Sequence, residues 1–318
     1  MKKSVTRVLM AGLIGISIYS MGIDSAQAAS SPHTPVSSDP SYKPDSSASY
    51  DPAIKTNKNG AYSKAFEGTG KLDAPLYQEK SKPTKKSPAG PRYSPKSVIG
   101  SDERTRVTNT TAYPYRAIVH ISSSIGSCTG WLIGPKTVAT AGHCIYDTAS
   151  GSFAGTATVS PGRNGSTYPY GSVTSTRYFI PSGYRSGNSN YDYGAIELSQ
   201  PIGNTVGYFG YSYTTSSLVG TSVTISGYPG DKTSGTQWQM SGNIAVSETY
   251  KLQYAIDTYG GQSGSPVYEA SSSRTNCSGP CSLAVHTNGV YGGSSYNRGT
   301  RITKEVFDNL TNWKNSAQ

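Results

Sequence analysis

Gly261–Gln262–Ser263–Gly264–Ser265–Pro266 has the form G-x-S-G-x-P. A serine between glycines on a tight loop presents its hydroxyl and lets a second molecule approach bare backbone. The amides of Gly261 and Ser263 can then converge on one spot and hold a developing oxyanion. Serine is a weak nucleophile until a base takes its proton, and the base needs an orienting partner. The chain has 4 histidines: His33, His120, His143 and His286. His143 closes the apolar run Thr140–Ala141–Gly142–His143–Cys144, where the backbone is tightly fixed. Its imidazole titrates near neutrality, as a general base requires. His33 falls in a polar tract and His120 in the middle of a strand-like run. Asp192 is the leading orienting carboxylate, in Asn190–Tyr191–Asp192–Tyr193–Gly194–Ala195–Ile196–Glu197–Leu198. Asp147 lies too near His143 in sequence, and Asp231 belongs to the turn Pro229–Gly230–Asp231. The chemistry of such a set is acyl transfer through a covalent serine, with no cofactor and no metal.

The elements that must hold these residues read as strands. Strand-forming runs fall at 117–122, 128–133, 137–141, 171–180, 193–198, 222–227, 236–245, 251–256, 266–269, 283–290 and 299–302, separated by Gly, Pro, Asn and Ser clusters. That cadence predicts an all-β sandwich or a pair of barrels. One helix is expected, with Thr303 as N-cap and Lys304–Lys314 as its body. Val306, Leu310 and Trp313 share one face of it. Four cysteines allow three pairings. Cys128 with Cys144 would pin the His143 segment to a neighbouring strand, and Cys277 with Cys281 would close a small loop. A zinc site from Cys277, Cys281 and His286 is possible by ligand type, but an exported protein with paired cysteines favours disulfides.

Export follows from the first residues. Lys2, Lys3 and Arg7 precede the apolar stretch Val8–Met21, and Ala26–Gln27–Ala28 has the A-x-A form of a signal-peptide cleavage site. Residues 1–28 are therefore read as a signal peptide. The tract 29–96 is rich in Ser, Pro, Lys and Asp and poor in aliphatic residues, and is read as a propeptide, largely disordered. Residues 97–318 are the mature domain. They carry no 20-residue apolar run, so no membrane contact is expected once the signal is gone. The net charge of +10 misleads. The first 96 residues hold 14 of the 28 basic groups but only 7 of the 18 acidic ones. The folded part is nearly balanced, which argues against a nucleic-acid partner.

The nucleophile loop and the histidine segment resemble those of the chymotrypsin-fold serine proteases. The resemblance implies two antiparallel six-stranded β-barrels with a C-terminal helix. The barrels would span about 97–205 and 206–302, and the helix 303–314. It also implies where specificity is set. The residue six before the nucleophile, Asp257, would form the pocket floor and favour Lys or Arg in a trypsin-like enzyme. Against that stands His286, in Val285–His286–Thr287–Asn288–Gly289, which matches the pocket wall. With Thr258 it resembles the bacterial glutamyl endopeptidases, especially those of bacilli, along the whole of 97–318. That family cleaves after glutamate and less readily after aspartate. The resemblance carries His286 and Thr258 over as carboxylate binders, Arg185 as a nearby positive group, and Ser97 as the amino terminus that helps neutralise the substrate carboxylate.

Chymotrypsin-like zymogens place an aspartate just before the nucleophile to capture that terminus. Gln262 stands there instead, so the freed terminus must act otherwise, and the glutamyl-family resemblance implies that it acts at the pocket. Ser97–Val98–Ile99–Gly100 resembles a mature start, which puts the cut after Lys96. A lysine at the cut does not suit an acid-specific enzyme, so a second, activating protease is expected. The expected partners are that protease and protein and peptide substrates, with the enzyme itself a secreted monomer. A different class stays open: a non-catalytic secreted β-rich binding module, which the 25 tyrosines would suit.

Overall fold

In the computed structural model, residues 31–43, 54–57, 59–72, 97–271, 277, 279–290 and 294–317 are described. Two closed barrels of six antiparallel strands account for most of them. The first runs Ile118–Ser123, Gly126–Leu132, Thr137–Thr140, Gly194–Leu198, Val173–Pro181 and Thr158–Pro161, and closes because Thr158–Pro161 pairs back onto Ile118–Ser123. The second runs Ser222–Gly227, Gln237–Ser247, Lys251–Tyr254, Asn297–Arg301, Cys281–Asn288 and Pro266–Glu269, closing through Thr224↔Tyr268 and Ile225↔Val267. Closure removes the unpaired edges that an open sheet would present.

Alternation fills each barrel. Ile118, Ile121, Trp131, Leu132, Val138, Phe179 and Ile196 are buried in the first core, and Val223, Ile225, Leu252, Tyr254, Ile256 and Val267 in the second. The helix Lys304–Ser316 closes the molecule on its apolar face, with Val306, Leu310 and Trp313 buried. Thr303 Oγ1 accepts the Val306 N–H and caps it. The strand Thr158–Pro161 was missing from the sequence-based set. Glycines bracket it, and its terminal Pro161 offers no N–H, so its composition reads as a turn.

Two pieces of the tract 29–96 are folded onto the body. Pro35–Ser37 pairs with Phe179–Pro181 at the edge of the first barrel. The hairpin Ile54–Asn57/Gly60–Ser63 adds to Gly210–Thr214 beside the second barrel. Neither piece could bury a core alone. Each borrows a ready-made edge, and Val36, Tyr42 and Ile54 pack against the first core. The proposed cut at Lys96 and the residues 1–28 lie outside the described residues.

Both disulfides form as paired from the sequence, Cys128–Cys144 and Cys277–Cys281, so the zinc trio has lost its thiolates. The first closes a loop of sequence separation 16. By chain entropy such a link contributes about 3 kcal/mol. Replacing Cys128 and Cys144 together by serine, in a Ser263→Ala background, is expected to lower unfolding stability by about 2–4 kcal/mol. Urea titration followed by tryptophan fluorescence measures it.

Candidate active site

His143 sits in the single turn Gly142–Cys144 that follows the strand Thr137–Thr140. Asp192 sits just before the strand Gly194–Leu198, and Gly194 pairs with Thr140. That one register brings residues 49 apart in sequence face to face. Asp192 Oδ1 accepts the His143 backbone N–H at 3.0 Å, and Asp192 Oδ2 meets His143 Nδ1 at 2.8 Å. A carboxylate only accepts, so Nδ1 carries the proton and Nε2 is the basic nitrogen. Asp192 is 3% exposed, and its backbone carbonyl accepts the Thr300 hydroxyl.

Burial alone would drive the imidazole toward neutrality, but the facing Asp192 carboxylate outweighs it, and the His143 pKa moves up. Burial likewise penalises the Asp192 anion. The charge and hydrogen bonds of His143, with Lys251 nearby, reverse the sign and hold the carboxyl below its ordinary range.

Ser263 is half-buried, on a loop tied to the histidine segment. Its carbonyl accepts the Thr129 N–H at 2.9 Å and lies 3.6 Å from Cys144 Sγ, the sulfur next in sequence to His143. Thr129 Oγ1 donates to the Gly261 carbonyl, and Gly264 N–H to the His286 carbonyl. Gly261 (φ +101°) and Gly264 (φ +86°) lie in the left-handed region, and a Cβ on Gly264 would run into the Thr129 carbonyl. Among the described residues, the N–H groups of Gly261 and Ser263 have no hydrogen-bond partner.

The pocket residues are only partly drawn together. His286 is buried, its Nδ1 2.8 Å from the Tyr254 hydroxyl. Burial first, then the nearby His143, push its pKa down to about 3, so the ring is neutral. Thr258 is fully buried, and its hydroxyl has no partner among the described residues. The Thr258 N–H donates to the Ser97 carbonyl, as does Asn297 Nδ2 at 2.6 Å. Arg185 is exposed at the end of the turn Ser182–Arg185 and makes no ion pair among the described residues, so no bond joins it to His286 or Thr258. His120 is buried against Arg163 and Tyr228, a packing role.

Asp257 does not face an open pocket as a free acid. Its two oxygens accept the N–H groups of Ile99 at 2.7 Å and Glu103 at 2.9 Å. It grips the segment that begins at Ser97. Its partners lie more than 150 residues away, and a position count from the nucleophile cannot show that.

Asn297, Tyr254 and Lys251 were missed for the same reason. Lys251 is buried, with Nζ donating to the Ser189 carbonyl at 2.6 Å and to Thr300 Oγ1 at 2.9 Å, and burial lowers its pKa to about 8. Its charge opposes protonation of His143. Lys251→Met is therefore expected to raise the His143 pKa, read by NMR titration of the ring protons. An unchanged titration would remove Lys251 from the electrostatics of the pair.

Comparison with known proteins converges. A model of the trypsin family matches residues 103–313. A glutamyl endopeptidase of Bacillus licheniformis is 83% identical over 317 residues, covering 100% of this chain and 99% of that protein. An extracellular metalloprotease of Bacillus subtilis is 48% identical over 261 residues, 80% of each chain. A solved structure of a Glu endopeptidase in complex with MPD superposes with a TM-score of 0.63 at 39% identity, over 69% of this chain and 99% of that one.

Proposed function

We propose, from the premise that this chain belongs to the trypsin family and is a serine endopeptidase, that it is exported and cleaves after glutamate, less readily after aspartate, through an acyl-enzyme formed on Ser263. The observation that carries the reading is the Asp192–His143 couple tied through Thr129 and Cys144 to a serine loop with two amides that have no partner among the described residues.

Ser263 Oγ attacks the scissile carbonyl carbon while His143 Nε2 takes its proton. Asp192 holds the tautomer and stabilises the imidazolium. The former carbonyl oxygen becomes an anion that the Gly261 and Ser263 amides receive. The C–N bond breaks as His143 returns the proton to the leaving amine. Water, deprotonated by the same imidazole, then releases the acyl group.

Glutamate preference rests on what the pocket offers. A carboxylate left unpaired in a buried site costs several kcal/mol. The Thr258 hydroxyl is buried, a donor with no acceptor among the described residues. When Tyr254 donates to His286 Nδ1, the ring proton lies on Nε2, and a substrate carboxylate would compete for it with the Arg298 backbone. The amino group freed by a cut after Lys96 would add the charge, because the Ser97 carbonyl already rests on Thr258 and Asn297. Asp257, with both oxygens taken by amides, leaves little for a substrate lysine. An activating protease makes the cut, since lysine is not an acidic residue.

The name of the 48% identical relative raises a metal. Among the described residues, the donor set that clusters does not fit one. Cys128, His143 and Cys144 cluster within 4.8 Å, but both sulfurs are spent in a disulfide and His143 Nδ1 faces Asp192.

The test is labelling by phenylmethanesulfonyl fluoride, with turnover of Glu, Asp, Lys and Arg p-nitroanilides. The expected result is a label on Ser263 and fastest turnover after Glu. Faster turnover of the Lys substrate would reinstate Asp257 as the pocket acid. A chain that takes no label is a binding module.

A further inference from the structure

Gln262 stands where the related zymogens keep an acid for the new amino terminus, and the structure supplies a different partner for it. Arg104 has a side chain with 0% exposure. All five of its guanidinium N–H groups are used. Nε and Nη2 donate to Asp102, Nη1 and Nη2 to Asp231, and Nη1 also to Gln262 Oε1 at 3.3 Å. A buried cation needs this complement, since unpaired it would be expelled. Lys232 Nζ donates to Asp102 Oδ2, which Arg104 Nη2 also reaches, and completes the charge balance.

The two inner contacts of Arg104 lie on the two strands of chain that bound the oxyanion loop. On one side, Gln262 Oε1 also accepts the Tyr259 N–H, and Gln262 N–H closes the turn on the Tyr259 carbonyl. That turn contains Gly261. On the other side, Asp231 follows Gly230, whose N–H holds the Gly260 carbonyl at 2.7 Å. The Gly260 carbonyl and the Gly261 N–H belong to one peptide plane and point in opposite directions. Holding the carbonyl toward Gly230 turns the Gly261 N–H away from it, free of any partner among the described residues. A flip of that plane would put an oxygen where the amide now stands.

We propose that Arg104 is the positioning residue of the oxyanion loop, clamping Gln262 and Asp231 so that the Gly261 amide is aimed before the chain is cut. This rests on the protease reading above. Activation then completes only the carboxylate pocket. Gln262 must be neutral because the two anions Asp102 and Asp231 already balance the two cations Arg104 and Lys232, and a third buried anion would go uncompensated.

The experiment compares three mature variants, Arg104→Lys, Arg104→Gln and Gln262→Met, with an uncut chain made by Lys96→Ala. Gln262→Met keeps the volume and removes the acceptor along with an NH₂ that has no partner among the described residues, so it stays informative if Arg104→Gln fails to fold. Thermal melts establish the folded fraction. On a Glu p-nitroanilide, kcat is expected to fall about 10²-fold for Gln262→Met, the cost of losing one oxyanion donor. KM should hold, because that donor acts on the transition state alone. A peptide boronate should lose affinity in the same proportion as kcat. Arg104→Lys should lie between wild type and Arg104→Gln. The uncut chain should react with phenylmethanesulfonyl fluoride as fast as the mature enzyme while turning over the Glu substrate poorly. A folded Gln262→Met with unchanged kcat and boronate affinity overturns the clamp. So does an uncut chain that reacts with the sulfonyl fluoride far more slowly than the cut one. Failure of the wild-type mature chain to take the label on Ser263 is a separate outcome and overturns the protease reading beneath it.

Discussion

Asp192→Asn is expected to lower kcat by about 10⁴-fold at neutral pH with the fold intact. The local hydrogen bonds say why. Asp192 serves two donors at once, the His143 backbone N–H through Oδ1 and the ring Nδ1 through Oδ2. Asparagine has one acceptor oxygen and one NH₂. The backbone N–H is a fixed donor, so it keeps the oxygen, and the NH₂ then faces Nδ1. The ring must accept there, which moves its proton to Nε2 and leaves nothing to receive the Ser263 proton. A second effect has a definite sign. The carboxylate is what raises the His143 pKa against burial. Without it burial dominates, the pKa falls, and the acid limb of kcat/KM moves to lower pH. The measurement is a kcat/KM profile against pH, with ¹⁵N NMR of the ring to read the tautomer. An asparagine variant within tenfold of wild-type kcat, with the proton still on Nδ1, would sink the assignment of His143 and Asp192.

What could be read from the sequence was whatever repeats or clusters locally. The barrels were legible because every barrel strand except Thr158–Pro161 contains a short β-rich run between turn residues, and the helix because Val306, Leu310 and Trp313 mark one face. The serine loop and the histidine segment were legible because glycines and a cysteine surround them within a few positions. Asp192 followed from its short flanking pattern. The residues that escaped share the opposite property. Asp257 bonds to Ile99 and Glu103, Arg104 to Asp231 and Gln262, Asn297 to Ser97 and Ile256, and Lys251 to Ser189 and Thr300. Each is a single polar residue whose partners only closure of a barrel or docking of the 97–104 segment brings near. No periodicity marks them. The strands in 29–96 escaped for a related reason. Their stability comes from the edges they join, so composition alone reads them as unable to fold.

His286→Leu is expected to lower kcat/KM for Glu substrates by about 10–10²-fold, the worth of one hydrogen bond to a charged group. The loss should vanish for a substrate whose acidic side chain is replaced by an uncharged one. The argument is a count of donors. On the proposed reading, a glutamate carboxylate would meet the Thr258 hydroxyl, the His286 Nε2–H and the Ser97 amino group, two neutral donors and one charge. Removing a neutral donor weakens the grip without leaving the anion bare, so Thr258→Val should cost a similar factor. Removing both should cost more than either. The tautomer gives an independent reading. Tyr254→Phe deletes the hydroxyl facing His286 Nδ1 and touches no substrate atom. It frees the ring to turn its lone pair toward the carboxylate, so it should weaken glutamate while sparing sulfonyl fluoride labelling of Ser263. If His286→Leu slowed Glu and Gln substrates equally, the histidine would be a packing residue of the wall, and the preference for glutamate would rest on Thr258 and the terminus at Ser97 alone.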